Sequence, residues 1–475
     1  MKKLICSLFL IPYIFPLWSK ELSVAGIFTD QLILQRDQVN RIWGQGIANQ
    51  KVIISFNGIQ TVERIDKNGQ WQTSLAAMPA GGPYQLVIES NNKTISLSDV
   101  LIGDVWLASG QSNMEWKLNW KVDNWQAEIK DSHYPNIRFV QLETAVKISP
   151  QNKIITKGWQ VANPSTVGNF SAVAWFFAKR NHLDKGVPVG IIESNVGGSP
   201  AEAWTPTQAL LALKGYRNDA LEIINNLEAR ELRLQIHKKN KTKKRQLINS
   251  NDAINSLAVH KLEFDDSLWQ QVTIPLTTPL TDIVWLRKTI TLATAPIQAQ
   301  LSFGELNQLA KVFVNGQLVE NKGWDDKNKI ITLPKNLLQQ GKNTIAIRVL
   351  NSWNNKVNVG RAGKVWLSVN DKKINLQGQW RMSNTLEAKI PKVEPITHWP
   401  SVLYNAMIHP LTRFTIKGVI WYQGESNVSH AKEYKQLFTA MIQSWRKQWA
   451  IGDFPFIYVQ LASWLPQKND QLKVT

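Results

Sequence analysis

Cysteine is almost absent from this sequence, because its 475 residues contain only one, Cys6. Cys6 lies in an apolar N-terminal segment, so the rest of the chain offers no thiol. This excludes a disulfide framework, a thiolate metal site and a cysteine nucleophile. Long apolar runs are lacking too, and after that segment no stretch reaches the roughly 20 residues that a transmembrane helix needs. We therefore expect no stable membrane span.

Acidic residues are also scarce, since 36 Asp and Glu stand against 55 Lys and Arg, for a net charge of +19. The positive charge is spread along the chain apart from one cluster, which extends from Lys238 to Arg245. No aromatic side chains interleave these lysines, as they would in a nucleic-acid groove. We interpret the cluster as the solvated end of a helix or a linker, with contact to an anionic polymer as the alternative, and we predict no nucleic-acid partner.

Tryptophan, by contrast, is abundant, with 21 residues. Indole rings offer large flat faces that stack on other rings. A chain rich in tryptophan and poor in cysteine is typical of secreted bacterial proteins that handle sugars.

The N-terminus has the pattern of a targeting segment. Met1-Lys2-Lys3 precedes an apolar run from Leu4 to Trp18, and a small residue, Ser19, precedes the polar stretch that follows. This arrangement is typical of a secretory signal peptide, whereas a buried N-terminal strand or helix is the less favoured alternative. We expect residues 1–19 to be a signal peptide and the protein to be periplasmic or secreted.

The remaining sequence alternates between two patterns of apolar and polar residues. Short period-two runs separated by Asn-Gly turns predict antiparallel β structure. Apolar strands that alternate with helical patterns, such as the helix predicted over Ala172–Lys185, indicate a parallel sheet covered by helices. We therefore predict an α/β fold interrupted by an inserted β-sandwich. The predicted divisions are a small N-terminal β domain (20–100), the first part of the α/β domain (101–248), the inserted sandwich (249–390) and the second part of the α/β domain (391–475).

Three predicted strands end in short polar loops that contain glycine. The first loop is Ser109-Gly110-Gln111-Ser112-Asn113-Met114, the second is Ser194-Asn195-Val196-Gly197-Gly198-Ser199, and the third is Gln423-Gly424-Glu425-Ser426-Asn427. In an open parallel sheet, ligands bind at the carboxyl ends of the strands. We therefore expect the three loops to form one site.

The residue types in these loops are those that acyl transfer needs. Ser112 is the candidate nucleophile, since a tight turn after a strand would expose its hydroxyl, although an ordinary turn serine has the same pattern. Gly198 is a candidate oxyanion donor, and Gln423 or Asn427 could supply a side-chain amide, although each could equally brace the loops. Glu425 could orient a histidine, bind sugar hydroxyls or support its loop.

The loops also carry a family resemblance. The blocks Gly110-Gln111-Ser112-Asn113-Met114-Glu115, Gly197-Gly198-Ser199-Pro200-Ala201-Glu202-Ala203-Trp204 and Trp421-Tyr422-Gln423-Gly424-Glu425-Ser426-Asn427 look like those of bacterial sialate O-acetylesterases, members of the SGNH hydrolase superfamily. The resemblance extends over most of the chain. The predicted insertion resembles the sugar-binding jelly roll of some glycoside hydrolases.

The resemblance implies a flavodoxin-like α/β hydrolase that removes O-acetyl groups from sialic acids, without a metal or other cofactor. It implies that Ser112 is the nucleophile. It also implies an oxyanion hole formed by the amides of Ser112 and Gly198 and by Gln423 or Asn427, with Glu425 as the acid behind a histidine.

The histidine is where this sequence differs from the family pattern. Members of the superfamily have their catalytic histidine beyond the strand matched by Phe456–Leu461, and no histidine follows His430 here. We therefore expect a C-terminally truncated chain that lacks its general base and has little esterase activity. His430, three residues after Asn427, is the in-chain alternative, although its position is typical of a surface loop.

Other functions fit parts of the pattern. An esterase acting on acetylated xylan or another polysaccharide would have the same loops. A non-catalytic carbohydrate-binding protein would keep the β modules and the tryptophans. A glycosidase is disfavoured, because no barrel with paired carboxylates is indicated.

Overall fold

The structure is a computed structural model that describes residues 21–279, 282–306, 309–323, 327–350 and 356–462. The chain divides into two compact units, one made of residues up to Leu232 and from Pro395 onward, and the other of Arg233–Glu394. The predicted signal peptide and Cys6 lie outside the described residues. In the described ranges, no helix is both long and apolar enough to cross a membrane.

The first unit begins with β-strands, as the period-two pattern predicts. Asn57 and Gly58, between two of these strands, both have positive φ angles, 48° and 76°, which is the conformation of a tight hairpin turn. The strands are Ser23–Val24 (β1), Ile33–Gln35 (β2), Asn40–Gln45 (β3), Lys51–Phe56 (β4), Ile59–Arg64 (β5), Gln70–Leu75 (β6), Gly81–Ser90 (β7) and Lys93–Gly110 (β8).

Helices and strands alternate in the next part of the chain. They are Ser112–Glu115 (α1), Trp125–Lys130 (α2), Tyr134–Gln141 (β9), Gln160–Ala162 (β10), Ala172–Lys185 (α3), Val189–Asn195 (β11), Thr207–Leu211 (α4), Arg217–Asn225 (α5) and Leu227–Asn249 (α6). Helix α3 has the bounds that its sequence predicts, because the Ser171 hydroxyl caps its first turn and Gly186 adopts a left-handed conformation after its last residue. The basic cluster lies within α6, on a helix and not in a linker.

The second unit consists mainly of β-strands. They follow a short helix, Asp252–Leu257 (α7), and are Gln270–Ile274 (β12), Leu276–Pro279 (β13), Ile283–Leu292 (β14), Ala299–Ser302 (β15), Leu309–Val314 (β16), Gln317–Lys322 (β17), Ile331–Thr332 (β18), Gly341–Leu350 (β19), Lys356–Val359 (β20), Trp366–Val369 (β21), Lys372–Asn375 (β22) and Gly378–Ser383 (β23). A six-stranded and a four-stranded sheet contribute side chains to one core, for example Ile347 of β19 and Leu367 of β21.

The α/β pattern resumes after this unit. Its elements are Gly418–Tyr422 (β24), Ala431–Trp449 (α8) and Phe456–Tyr458 (β25). Single turns of 3₁₀ or π helix occur at Val167–Asn169, Ala201–Trp204, Ile396–His398, Tyr404–Ile408, His409–Leu411 and Glu425–His430. Residues 201–211 form two short pieces, Ala201–Trp204 and α4, because Pro206 between them lacks the amide hydrogen that an uninterrupted helix needs.

A large mixed sheet forms the centre of the first unit. Strands β9, β11, β8, β24 and β25 run parallel to their neighbours, whereas β10 pairs with β9 in the antiparallel direction. The sequence predicts a parallel sheet, and this holds for the strands that precede the three loops. Helix α3 packs on one face of this sheet, where Trp175 and Phe139 are fully buried.

Strand β8 crosses the division that the sequence predicts between residues 100 and 101. Its first half pairs with β7 in the antiparallel direction, and its second half pairs with β11 and β24 in the parallel direction. The alternating pattern ends and the continuous apolar pattern begins inside this strand, because one half has an exposed face while the other is covered on both faces.

Candidate active site

Three parallel strands end at the same level of the central sheet. Gly110, the last residue of β8, is paired with Asn195 of β11 on one side and with Tyr422 of β24 on the other. Because a loop follows each of these residues, the register of the sheet brings the three loops together. This confirms that the loops are neighbours, as their positions after strands predict.

Gly110 makes the turn that presents Ser112. Its φ angle is 138°, and a Cβ atom at this position would lie 2.2 Å from the carbonyl oxygen of Tyr422, so only glycine fits. Gln111 follows with a buried side chain, and Ser112 begins helix α1 with its side chain exposed. The serine therefore lies at the surface, immediately after a strand that is packed on both sides.

The first and third loops are joined by side-chain hydrogen bonds. The Gln111 Oε1 atom accepts from the backbone amides of Gly424 and Ser426, each at 3.2 Å. The Asn113 Nδ2 atom donates to the Glu425 Oε1 atom at 2.6 Å. The Glu425 carboxylate is thus held by the first loop, and no hydrogen bond joins it to a histidine among the described residues.

The second loop is fixed by a carboxylate of helix α1. The Gly197 amide donates to the Glu115 Oε2 atom at 2.6 Å, and a Cβ atom on Gly197 would come within 3.8 Å of the Ser112 Cβ atom. Gly198 follows with a φ angle of 70°, a left-handed conformation that glycine adopts freely. Gly197 therefore borders the candidate nucleophile, and Gly198 is the next residue of the same loop.

Two of the four predicted oxyanion donors are free to bind a ligand. The amide hydrogens of Ser112 and Gly198 donate no hydrogen bond within the described part of the chain. Both residues are exposed. They are therefore available to an oxygen atom of a substrate.

The side-chain amides of the third loop serve the loop network instead. The Gln423 Nε2 atom donates to the Ser199 carbonyl at 3.2 Å and to the Asn427 Oδ1 atom at 2.6 Å, which uses both of its hydrogens. The Asn427 Nδ2 atom donates one hydrogen to the Glu202 Oε2 atom at 2.9 Å, which leaves the second hydrogen. Gln423 therefore braces the second and third loops, while Asn427 retains one possible donor.

The histidines differ in their distance from these loops. The Nδ1 atom of His430 lies 2.9 Å from the Ser429 hydroxyl, at the exposed end of the third loop. His398 had no distinguishing sequence signal, yet its Nε2 atom lies 3.9 Å from the position of a Cβ atom on Gly198. His398 is exposed. The structure therefore brings His398, which sequence reasoning missed, to the edge of the second loop.

A buried carboxylate lies beside the site and was also missed. Glu193, on β11 just before the second loop, accepts from the Gln141 Nε2 atom at 2.7 Å and from the Ser171 amide at 2.8 Å. Burial raises the pKa of Glu193 to about 7, although these hydrogen bonds and the charge of Lys117 oppose the shift. Its position in the sequence gave no sign of this environment, since Gln141 and Ser171 come next to it only in the folded protein.

Known proteins share this arrangement of segments. Residues 102–228 and 393–475, which contain all three loops, match the family described as carbohydrate esterase, sialic acid-specific acetylesterase. This match, together with the relatives below, supports the sialate O-acetylesterase family for this chain.

Individual relatives agree with this assignment. The sialate O-acetylesterase of Rattus norvegicus is 24% identical over 468 residues, which cover 93% of this chain and 60% of the relative. The sialate O-acetylesterase of Homo sapiens is 28% identical over 207 residues, 40% of this chain and 39% of the relative. The crystal structure of a carbohydrate acetylesterase from Xanthomonas citri superimposes with a TM-score of 0.53 at 23% identity, covering 92% of this chain and 60% of that one, which shows a common fold. The chain thus spans about 60% of the length of the rat relative and of the solved structure.

Proposed function

We propose that this chain is a serine esterase that removes O-acetyl groups from sialic acids or related acetylated sugars. The observation that carries the proposal is the exposed Ser112, whose own amide hydrogen and that of Gly198, in the adjacent loop, have no acceptor among the described residues. The match to the acetylesterase family supports the same chemistry. An SGNH-type hydrolase is the fold class that fits both.

The reaction would proceed through an acyl-enzyme. The Ser112 Oγ atom would attack the acetyl carbonyl carbon, and its proton would pass to a base. The amides of Ser112 and Gly198 would hold the oxygen that becomes negative, with the spare hydrogen of Asn427 as a third donor. The sugar oxygen would leave with a proton, and water would then release acetate and restore the serine hydroxyl.

Replacement of Ser112 tests this proposal. Hydrolysis of an O-acetylated sialic acid, followed as released acetate, is expected in the parent protein and not in the Ser112→Ala variant. Ser74→Ala, which alters an exposed serine of strand β6, serves as the control and should keep the parent rate. Covalent capture of an organophosphate by the parent alone would support the nucleophile independently. Sugar binding without Ser112-dependent acetate release would instead favour a non-catalytic binding protein.

The supply of a base limits the expected rate. Among the described residues, no histidine donates to or accepts from Ser112 or Glu425, and base assistance contributes about 10²–10⁴-fold in rate. We therefore propose that the 475-residue chain hydrolyses acetyl esters slowly. A turnover rate equal to that of an active sialate O-acetylesterase under the same conditions would contradict this expectation.

His398 is the better placed of the two histidines that could assist. Because its Nε2 atom borders Gly198, whereas His430 bonds to Ser429, we expect His398→Gln to lower the residual Ser112-dependent rate about tenfold or more. His430→Gln should lower it less. Initial rates of the two variants across pH 5 to 9 check the order, and the reverse order would assign the role to His430.

A further inference from the structure

Two tryptophans with exposed rings follow the candidate nucleophile. Trp116 and Trp120 keep 45% and 44% of their surface exposed, and no other tryptophan in the described ranges is among the exposed large apolar residues. Trp116 comes four residues after Ser112, directly after helix α1, which is a single turn. Exposed aromatic surface next to a reactive site is typical of ligand binding.

The two rings form a corner. Their centroids are 5.5 Å apart and their planes are 87° to each other, so a ligand can lie on the face of one ring and touch the other. The amino group of Lys117 lies 5.9 Å from the Trp120 ring centroid. Both the apolar faces and a hydrogen-bond donor are therefore available at this corner.

The backbone holds this segment in place. The Leu118 amide donates to the Phe170 carbonyl at 3.0 Å, and the Ala172 amide donates to the Trp116 carbonyl at 2.8 Å. These bonds tie the segment to the start of helix α3. Because the backbone is fixed before a ligand binds, little conformational entropy is lost on binding.

A polar cavity of about 160 Å³ adjoins the same segment, because Lys117 is one of its lining residues. The cavity is also lined by Glu115, Gln141, Glu193 and Asn195. The Asn195 Nδ2 atom is buried and has no hydrogen-bond partner among the described residues. An unpaired buried amide is costly, and a ligand hydroxyl would pair it. The cavity is lined both by hydrogen-bond donors, such as Lys117, and by the carboxylates of Glu115 and Glu193, which accept. Sugar hydroxyl groups can donate and accept, so they can bind to both kinds of group.

We infer that Trp116 and Trp120, together with this polar cavity, form the subsite that binds the sugar ring of the substrate, with the ring stacked on indole and its hydroxyls directed to Asn195 and Lys117. The ligand class is a pyranose. The inference rests on the proposed function only for its choice of an acetylated sugar, and binding can be measured without turnover.

Titration of the Ser112→Ala protein with an O-acetylated sialic acid, followed by calorimetry and by indole fluorescence, tests this inference. Trp116→Ala and Trp120→Ala are each expected to weaken binding at least tenfold, and Trp116→Phe should restore most of it because phenylalanine keeps a stacking face. Phe176→Ala is the matched control, because Phe176 on helix α3 is an aromatic residue with a similar exposed fraction, 42%. The Phe176→Ala variant should bind the sugar with the affinity of the Ser112→Ala protein. Near-ultraviolet circular dichroism checks that each variant is folded.

The outcomes separate this inference from the proposed function. Binding that is unchanged in both alanine variants, or no binding by the Ser112→Ala protein at millimolar sugar, would overturn the subsite. Ser112-dependent acetate release would stand in either case. Conversely, sugar binding that depends on Trp116 and Trp120, without acetate release by the parent, would support the subsite and contradict the esterase activity. An acetylated xylo-oligosaccharide titrated in parallel shows whether the bound pyranose is anionic or neutral.

Discussion

At the scale of single residues, Glu193 is the group whose chemistry departs most from its ordinary behaviour. Both of its oxygens accept hydrogen bonds, and burial in the sheet leaves little water to stabilise its charge. A carboxyl group whose pKa rises to about 7 on folding binds its proton more tightly in the folded state. Folding is then favoured where the group is protonated.

This predicts the sign of a pH effect. Since the pKa of Glu193 is about 7 in the folded protein and about 4.5 when unfolded, the free energy of unfolding should fall as pH rises between these values, by about 3 kcal/mol in total. Glu193→Gln removes the titration, so the difference between parent and variant should change with pH over this range. Urea unfolding at pH 4.5, 6 and 8 measures it. If the difference in unfolding free energy between parent and variant does not vary with pH, Glu193 does not have a raised pKa in the folded protein.

The direct neighbours of Ser112 show how far residue-level inference from sequence extends. Gly198 was predicted as a donor from residue type and position, and the Ser112 amide from the family resemblance; neither amide has an acceptor among the described residues. Gln423 was predicted in the same way, yet its amide is used by Ser199 and Asn427. Sequence indicates which side chains can donate, but it does not show which donors the folded loops already use.

At the scale of elements, the turn from strand β8 into helix α1 is the most constrained part of the site. Gly110→Ala would place a Cβ atom 2.2 Å from the Tyr422 carbonyl, in addition to the strain of a positive φ angle. We expect a loss of about 2–5 kcal/mol in the free energy of unfolding. The neighbouring strand β24 would have to move, so Ser112-dependent hydrolysis should fall as well.

Gly186→Ala is the matched comparison for that change. Gly186 also has a positive φ angle, 66°, but a Cβ atom there would meet nothing within 4 Å. Its cost should therefore be only about 1 kcal/mol, the cost of the backbone conformation alone. Denaturant unfolding of both variants gives the two values, and equal losses would show that contact with Tyr422 is unimportant.

Elements with strong local signals could be predicted, and those decided by distant contacts could not. Helix α3 has a cap at each end, Ser171 and Gly186, so its bounds match the prediction. The full length of strand β8 could not be predicted, because nothing local shows that the antiparallel and the parallel halves belong to one strand. His398 lies near Gly198 only through tertiary packing, so no spacing in the sequence could have indicated it.

At the scale of the whole molecule, the two compact units have separate cores. Ile191 is buried in the core of the central sheet, and Ile347 is buried between the sheets of the other unit. Each unit therefore has its own source of stability. The alternation of patterns in the sequence predicts an insertion over 249–390, whereas the second compact unit comprises Arg233–Glu394.

Separate cores predict separate responses to cavity-forming substitutions. Ile347→Ala and Ile191→Ala should each cost about 2–5 kcal/mol, but in different units. We expect differential scanning calorimetry to show two transitions, each lowered by only one of the variants. Labelling of Ser112 by an organophosphate should decrease in Ile191→Ala at temperatures where Ile347→Ala still reacts. A single transition lowered equally by both variants would contradict independent units.

Strand β8 restricts where this chain can change in length during evolution. An insertion of one residue at its middle would move Gly110 out of alignment with Asn195 and Tyr422, and would exchange the two faces of every following residue. The Asn91-Asn92 turn at its start lies outside the paired residues and carries no such restriction. Homologous chains are therefore expected to vary in length at that hairpin tip while keeping a constant number of residues from there to the reactive serine.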